Sequence, residues 1–264
     1  MTEPQAITID IDDRGVATVT LDRPHIHNAF DDTVISELIN AFESIHQNNN
    51  VRVMVLAAAG KSFCAGADVN WMKKMTSYSY AQNKEDASQL AKLFSTLYNL
   101  NKPTIAKVQG AVYGGGVGLV ACCDIAIGSK LSKFCLSEVK LGLVPATISP
   151  YVIEAIGSRL AKRYFMTAEV MSSRRARRIG LLSEAVSEEE LDSSVEHIIS
   201  PLLKNGPRSV AIAKNLVNNL SNRAIDDQLI EQTSDLIATV RVSHEGQEGL
   251  TAFLEKRTPN WKKV

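Results

Sequence analysis

Two glycine-rich stretches, Gly60-Lys61-Ser62-Phe63-Cys64-Ala65-Gly66-Ala67-Asp68 and Gly110-Ala111-Val112-Tyr113-Gly114-Gly115-Gly116-Val117-Gly118, lie ahead of a lone acid, Glu138. Small residues let backbone N–H groups come close to a ligand, and a helix that begins at a glycine run points its unpaired amides at negative charge. Such segments can hold an oxygen on which charge develops during a reaction. Glu138 stands between the apolar run Phe134-Cys135-Leu136 and Val139. Partial desolvation there raises a carboxyl pKa and fits it for moving a proton. Each feature has a plainer reading: the glycines as a close helix–sheet packing turn, the glutamate as a cap or ion-pair partner at a helix start. The glycine run is not a dinucleotide fingerprint, because Leu119 stands where the third glycine is required, and it is not a P-loop.

These residues need a scaffold, and the pattern around them supplies one. Residues 6–11 and 16–21 alternate across Asp12-Asp13-Arg14-Gly15 as a strand hairpin. Val34, Leu38, Ala41, Phe42 and Ile45 recur at spacings of three and four behind Asp31 and Asp32, either of which can cap a helix. Residues 51–57 read as a buried strand, 68–75 and 83–99 as helices and 104–108 as a strand, and 125–127 with 133–136 close the strand-rich part. From Pro150 onward the chain reads as almost all helix, with Leu229, Thr233, Leu236 and Val240 as one apolar stripe. No linker, low-complexity stretch or internal repeat divides the chain.

Composition narrows the class. With 264 residues and 45% hydrophobic content, one sizeable core and a smaller appendage can form. Lys+Arg and Asp+Glu are both 29, so no overall positive field draws in nucleic acid or an anionic membrane. Cys64, Cys122, Cys123 and Cys135 sit in apolar segments without metal-ligand spacing, which fits reduced thiols in the cytoplasm. Residues 1–5 lack the basic start and apolar core of a signal peptide, and the apolar run 117–127 is cut by Asp124. His25, His27, His46, His197 and His244 are scattered, so no metal is implied.

Ala65-Gly66-Ala67-Asp68, Gly114-Gly115-Gly116, Cys123-Asp124-Ile125 and Ser137-Glu138-Val139 fall in the order and spacing of the crotonase (enoyl-CoA hydratase/isomerase) superfamily, which the chain resembles from about residue 7 to residue 261. The resemblance implies an α/β fold, a crotonase-like spiral of β-β-α units over residues 1–195 with a C-terminal helical trimerisation region over 196–264. It implies an acyl-CoA substrate with no separate cofactor, and a homotrimer or homohexamer. The N–H groups of Ala65 and Gly115 are then the oxyanion donors and Glu138 the acid/base. By the same resemblance, Cys64, Ala67, Asp68, Val69, Tyr113, Gly114 and Gly118 are expected to line the substrate. Arg23, His25 and Ala29 lie toward the pantetheine and adenine end, and Phe253 and Lys256 near the nucleotide. Asp68 has a second reading as a helix cap and Arg23 as a solvated turn residue.

Hydratases of this family commonly use a pair of glutamates, the first shortly after the triple glycine, and here the second is present as Glu138 while the first position is Gly118. One carboxylate suits a double-bond isomerase. Hydration is favoured by Thr147 and Ser149 in Leu143-Val144-Pro145-Ala146-Thr147-Ile148-Ser149-Pro150, whose hydroxyls could orient a water or instead cap the helix near Pro150. Losing the first glutamate also frees volume and removes charge, which suits a substrate bearing its own carboxylate. The same blocks are similar to bacterial methylglutaconyl-CoA hydratases of leucine breakdown, so the expected reaction is hydration of 3-methylglutaconyl-CoA. The alternatives are a Δ3-Δ2-enoyl-CoA isomerase, a hydratase for isohexenylglutaconyl-CoA or a simple enoyl-CoA, and a crotonase-like RNA-binding protein. Asp124 reads as a structural hydrogen-bond acceptor, Arg174-Arg175-Ala176-Arg177-Arg178 as a solvated face, and Lys73 and Lys74 as possible partners of a substrate carboxylate.

Overall fold

The computed structural model of the chain describes residues 6–221 and 223–261. Residues 1–5, on which the reading against a signal peptide rests, lie outside them. Strands β1 (Ile7–Ile11) and β2 (Val16–Leu21) pair antiparallel, Ile7 opposite Leu21 and Ile11 opposite Ala17. Asp12 closes the hairpin by accepting from the N–H groups of Arg14 and Val16, both at 2.9 Å. Helix α1 (Asp32–Gln47) follows, with Asp31 rather than Asp32 as its cap, and buries the expected Val34, Leu38, Ala41, Phe42 and Ile45.

The rest of the spiral comprises β3 (Val53–Ala58), α2 (Val69–Met75), α3 (Tyr80–Tyr98), β4 (Thr104–Val108), β5 (Ala111–Tyr113), α4 (Gly115–Cys122), β6 (Ile125–Ser129) and β7 (Lys133–Cys135). Next come α5 (Ser149–Ile156), α6 (Ser158–Thr167), β8 (Met171–Ser172), α7 (Ser173–Arg178) and β9 (Glu184–Val186). Two sheets form, a six-stranded one in the order β1-β2-β3-β4-β6-β9 and a three-stranded one in the order β5-β7-β8. Beyond the first hairpin every neighbour in the larger sheet is parallel. The two pairs β4–β5 and β6–β7 each send their first strand to the large sheet and their second to the small one, with α4 between them. This is the strand-strand-helix spiral that the family resemblance implies.

After Pro150 the chain is almost all helix, as expected, with two short strands, β8 and β9, as the exceptions. They are two and three residues long, too short to carry an alternating pattern of their own, and exist because β7 and β6 offer them an edge. Helices α8 (Leu191–Lys204), α9 (Pro207–Leu220), α10 (Asp227–Val242) and α11 (His244–Leu254) complete the chain. Leu191, Val195 and Ile199 of α8 pack on Val16, Val53, Val55, Ile105 and Ile127 of the large sheet, so position 196 falls inside a helix that belongs to the core packing. Leu229, Thr233, Leu236 and Val240 are the covered face of α10, as their spacing predicts. The described part of the C-terminal region is anchored by Lys214, whose ammonium meets Asp124 at 2.9 Å and the carbonyl of Lys102 at 3.2 Å. Asp124 also accepts from the N–H of Thr104 at 2.7 Å, so its role is structural. No helix among the described residues is long and apolar enough to cross a membrane.

Candidate functional site

The first glycine segment is held against residues 23–30 by a ladder of hydrogen bonds. His27 and Asn28 both adopt the left-handed conformation, at φ 55° and 56°, uncommon for residues with a Cβ. The buried Asn28 side chain pins this pair, donating to the carbonyls of Ala59 (2.9 Å) and Ser62 (2.8 Å) and accepting from the N–H of Arg23 (2.8 Å). Ala65 then donates its N–H to the carbonyl of His27 at 3.0 Å. Phe30 bridges the next two positions, donating to the carbonyl of Gly66 (2.8 Å) and accepting from the N–H of Asp68 (2.7 Å). In such a parallel bridge the residue between, Ala67, turns its own N–H away from Phe30. Among the described residues that N–H has no partner, and Ala67 is exposed. The expectation that Ala65 offers a free amide is therefore corrected: its amide is already engaged, and the open one belongs to Ala67.

The second segment is stitched to the first. Cys64 donates to the carbonyl of Ala111 (3.1 Å) and Tyr113 donates to the carbonyl of Cys64 (2.8 Å). Gly114, at φ 52° and ψ −120°, leaves β5 and starts α4 in a conformation that disfavours a side chain. Gly115 and Gly116 are the first two residues of that helix, so their N–H groups have no intrahelical partner. A Cβ on Gly115 would stand 2.7 Å from Cε2 of Phe30, and one on Gly116 would stand 2.9 Å from Cβ and from the carbonyl oxygen of Cys64. The packing role and the amide-presenting role of this run thus coincide.

Glu138 begins a 3₁₀ turn, Glu138–Leu141, directly over this junction. A Cβ on Gly114 would lie 3.4 Å from its Oε1 and 3.9 Å from the Cα of Gly66, so the carboxylate and both glycine segments converge on one spot. Its Oε2 is buried without a hydrogen-bond partner, and burial pushes its pKa above the usual carboxylate range. No ion pair among the described residues involves it. A carboxyl with one buried, unpaired oxygen, set against both glycine segments, can take up and release a proton beside an oxygen that the amides hold.

Gly118 is not a vacancy. A Cβ there would stand 2.3 Å from Cγ2 of Ile148 and 2.9 Å from Cε1 of Phe94, and both side chains are buried. The expected freed volume is filled by hydrocarbon, and Gly118 does not line a substrate space. Of the two hydroxyls, Ser149 Oγ donates to the carbonyl of Ala146 at 2.8 Å. Neither Thr147 nor Ser149 caps α5, whose cap position is Ile148. Thr147 is half-buried and has no hydrogen bond among the described residues.

The remaining expected residues divide. Asp68 is a helix cap, accepting from the N–H groups of Asn70 (2.7 Å) and Trp71 (3.2 Å). Arg23 pairs with Asp31, and Ala29 is buried, while His25 and Val69 are exposed beside the site segments. Cys64 is wholly buried, and desolvation lifts its thiol to about 12. Phe253 is 81% exposed at the end of α11. No hydrogen bond or ion pair among the described residues joins Phe253 or Lys256 to the glycine segments. No group of three His, Cys, Asp or Glu side chains among the described residues could hold a metal ion. The contacts made by Phe30, Asn28 and Ile148 are not legible in the sequence, because a buried Phe or Ile and a loop Asn carry no signal beyond ordinary packing.

Comparison with known proteins places this geometry. The family model for enoyl-CoA hydratase/isomerase matches residues 12–264. The chain is 31% identical to a crotonyl-CoA hydratase of Syntrophomonas wolfei, covering 93% of this chain and 94% of that protein. It is 32% identical to a short-chain-enoyl-CoA hydratase of Clostridium acetobutylicum, with 92% of each covered. Among solved structures, an enoyl-CoA hydratase of Shewanella pealeana superposes with a TM-score of 0.95 at 45% identity, covering 98% of this chain and 97% of that one.

Proposed function

The chain belongs to the enoyl-CoA hydratase/isomerase family, and from that premise we propose that it adds water across the double bond of an α,β-unsaturated acyl-CoA, with 3-methylglutaconyl-CoA as the thioester. The observation that carries the reading is the convergence of the Glu138 carboxylate, one of whose oxygens is buried without a partner, on Gly114 and Gly66, beside the open amides of Ala67 and Gly115. The thioester oxygen accepts from those two amides. Glu138 takes a proton from water as the water oxygen bonds to Cβ, and the electron pair of the double bond moves onto the thioester as an enolate. Glu138 then returns the proton to Cα and the thioester is restored, so one water is added and the carboxylate is regenerated. Each amide contributes about 2.7–4 kcal/mol toward holding the enolate.

A distal substrate carboxylate is supported by charge. Besides Glu138, the acid nearest the donors is Asp68, engaged as the cap of α2, and Lys73 and Lys74 on that helix are exposed cations just beyond the first glycine segment. A second reading, Δ3-Δ2-enoyl-CoA isomerisation, is favoured by the Ile148 and Phe94 packing over Gly118, which leaves no second carboxylate to share a water. A panel of enoyl-CoA thioesters with and without a distal carboxylate separates the two. Water uptake fastest with glutaconyl-type thioesters supports the proposal, whereas double-bond migration without water uptake replaces it by the second. We further propose a trimer or a pair of trimers, and a reducing, cytoplasmic setting in which the four unpaired cysteines stay as thiols.

A further inference from the structure

We propose that Phe30 is a positioning residue that sets the spacing between the two amide donors, an inference that rests on the oxyanion reading above. Cys64 joins the two segments ahead of the donors, and Phe30 touches both halves at the donors themselves. Through its backbone it is bonded on either side of Ala67, to the carbonyl of Gly66 at 2.8 Å and the N–H of Asp68 at 2.7 Å, which fixes the direction of the Ala67 N–H. Through its ring it lies under Gly115, where an added Cβ would meet Cε2 at 2.7 Å and Cδ2 at 3.0 Å. The first amide is thus hung from the backbone of Phe30 and the second rests on its side chain.

The support is rigid on its other flank. Phe30 is 2% exposed and follows the left-handed pair His27–Asn28, which the buried Asn28 side chain ties to Ala59 and Ser62. With the segments already joined through Cys64 to Ala111 and Tyr113, ring volume at position 30 sets how closely the amino end of α4 approaches the first segment. Oxyanion donors act only within about 2.7–3.1 Å of the charged oxygen, and a misplacement of about 1 Å costs roughly 10²-fold in rate. A smaller side chain at position 30 leaves the thioester's other contacts in place and lets the amino end of α4 settle. The loss then falls on kcat and not on KM.

The test uses full-length Phe30→Leu and Phe30→Ala with crotonyl-CoA turnover, and the infrared carbonyl stretch of bound butyryl-CoA, which cannot be hydrated. We expect kcat to fall by about 10-fold for Leu and about 10²-fold for Ala, with KM within about 3-fold, since misplacement and not binding is altered. The carbonyl stretch should move back toward its value in free butyryl-CoA in the same order. A purely packing role would change melting temperature without moving that stretch. Gly115→Ala adds a coupling readout: its methyl meets the ring in the wild type and has room once the ring is removed, so it should cost much less activity in the Phe30→Ala background. If Phe30→Ala does not fold, Phe30→Leu carries the same comparison. Folded variants that keep both kcat and the shifted stretch overturn the proposal, as does an equal cost of Gly115→Ala in both backgrounds. A wild type that shows no carbonyl shift overturns the oxyanion reading as well.

Discussion

Glu138 combines burial, an unpartnered oxygen and a place over two glycine segments, and each property has its own consequence. Glu138→Gln is expected to lower turnover by about 10²–10⁴ while acyl-CoA affinity holds, the usual scale for losing a general acid/base. Because burial raises this pKa, the acid limb of kcat/KM should lie above 4.5, with activity rising as the carboxylate forms. Stability runs the other way. A folded pKa above the unfolded one means that the native state binds more protons, so stability falls as pH rises from the unfolded value through the folded one. The Gln variant lacks that loss and should melt higher than wild type at neutral pH, with the gap closing toward pH of about 4; a melting series across that interval checks it. Thr147 and Ser149 separate in the same way: with Ser149 Oγ donating to Ala146 and Thr147 unpaired, Thr147→Val should reduce hydration while Ser149→Ala leaves it unchanged. Exchange of the substrate's α-proton, which needs only Glu138 and the amides, should survive both changes. At this scale Glu138 was legible because its apolar neighbours are adjacent in sequence. The choice between Ala65 and Ala67 was not, since His27 and Phe30 decide which amide is engaged, and they reach the segment only through the folded loop.

Elements followed the sequence wherever a period had room to repeat. The hairpin, α1, β4 and the covered stripe of α10 stand where alternation or helical spacing places them. The short strands β5, β8 and β9 escaped because two or three residues show no period, and their pairing is imposed by β7 and β6. The meaning of Gly118 escaped for a related reason: the absence of a side chain is visible in sequence, but what fills the space is not. Ile148 fills it from the start of α5, so α4 and α5 approach closely at this glycine. Gly118→Ala should therefore destabilise the protein by about 1–3 kcal/mol, the usual result of overpacking, although alanine is the better helix former. In an Ile148→Ala background the same change should cost less, giving a coupling energy of about 0.5–3 kcal/mol in denaturant melts. Gly118→Glu should lose stability with no gain in hydration, because its carboxylate would be driven into Ile148 and Phe94.

The whole molecule presents apolar surface that its own core does not explain. Ile225, Val242, Leu250 and Leu254, at 86%, 77%, 50% and 77% exposure, stand on or beside α10 and α11, with Val217 of α9 at 64%. The same region shows a covered stripe on α10 and a buried Ala252 on α11, so its helices do pack, yet on one side only. Scattered single apolar residues need no explanation, but a region carrying this many on consecutive helices is the kind of surface that another chain covers. A second copy is the occupant the family resemblance implies, and closed rotational symmetry lets one patch serve every copy. Light scattering should then give a mass of about three or six times the 28.8 kDa chain. Val242→Asp together with Leu250→Asp places charges on that surface without touching Glu138 or the glycine segments. The double variant should fall to a monomer at micromolar concentration while keeping its helical circular dichroism. A wild type that already runs as a monomer, or a double variant with unchanged mass, would show that these helices face solvent and that the site works within a single chain.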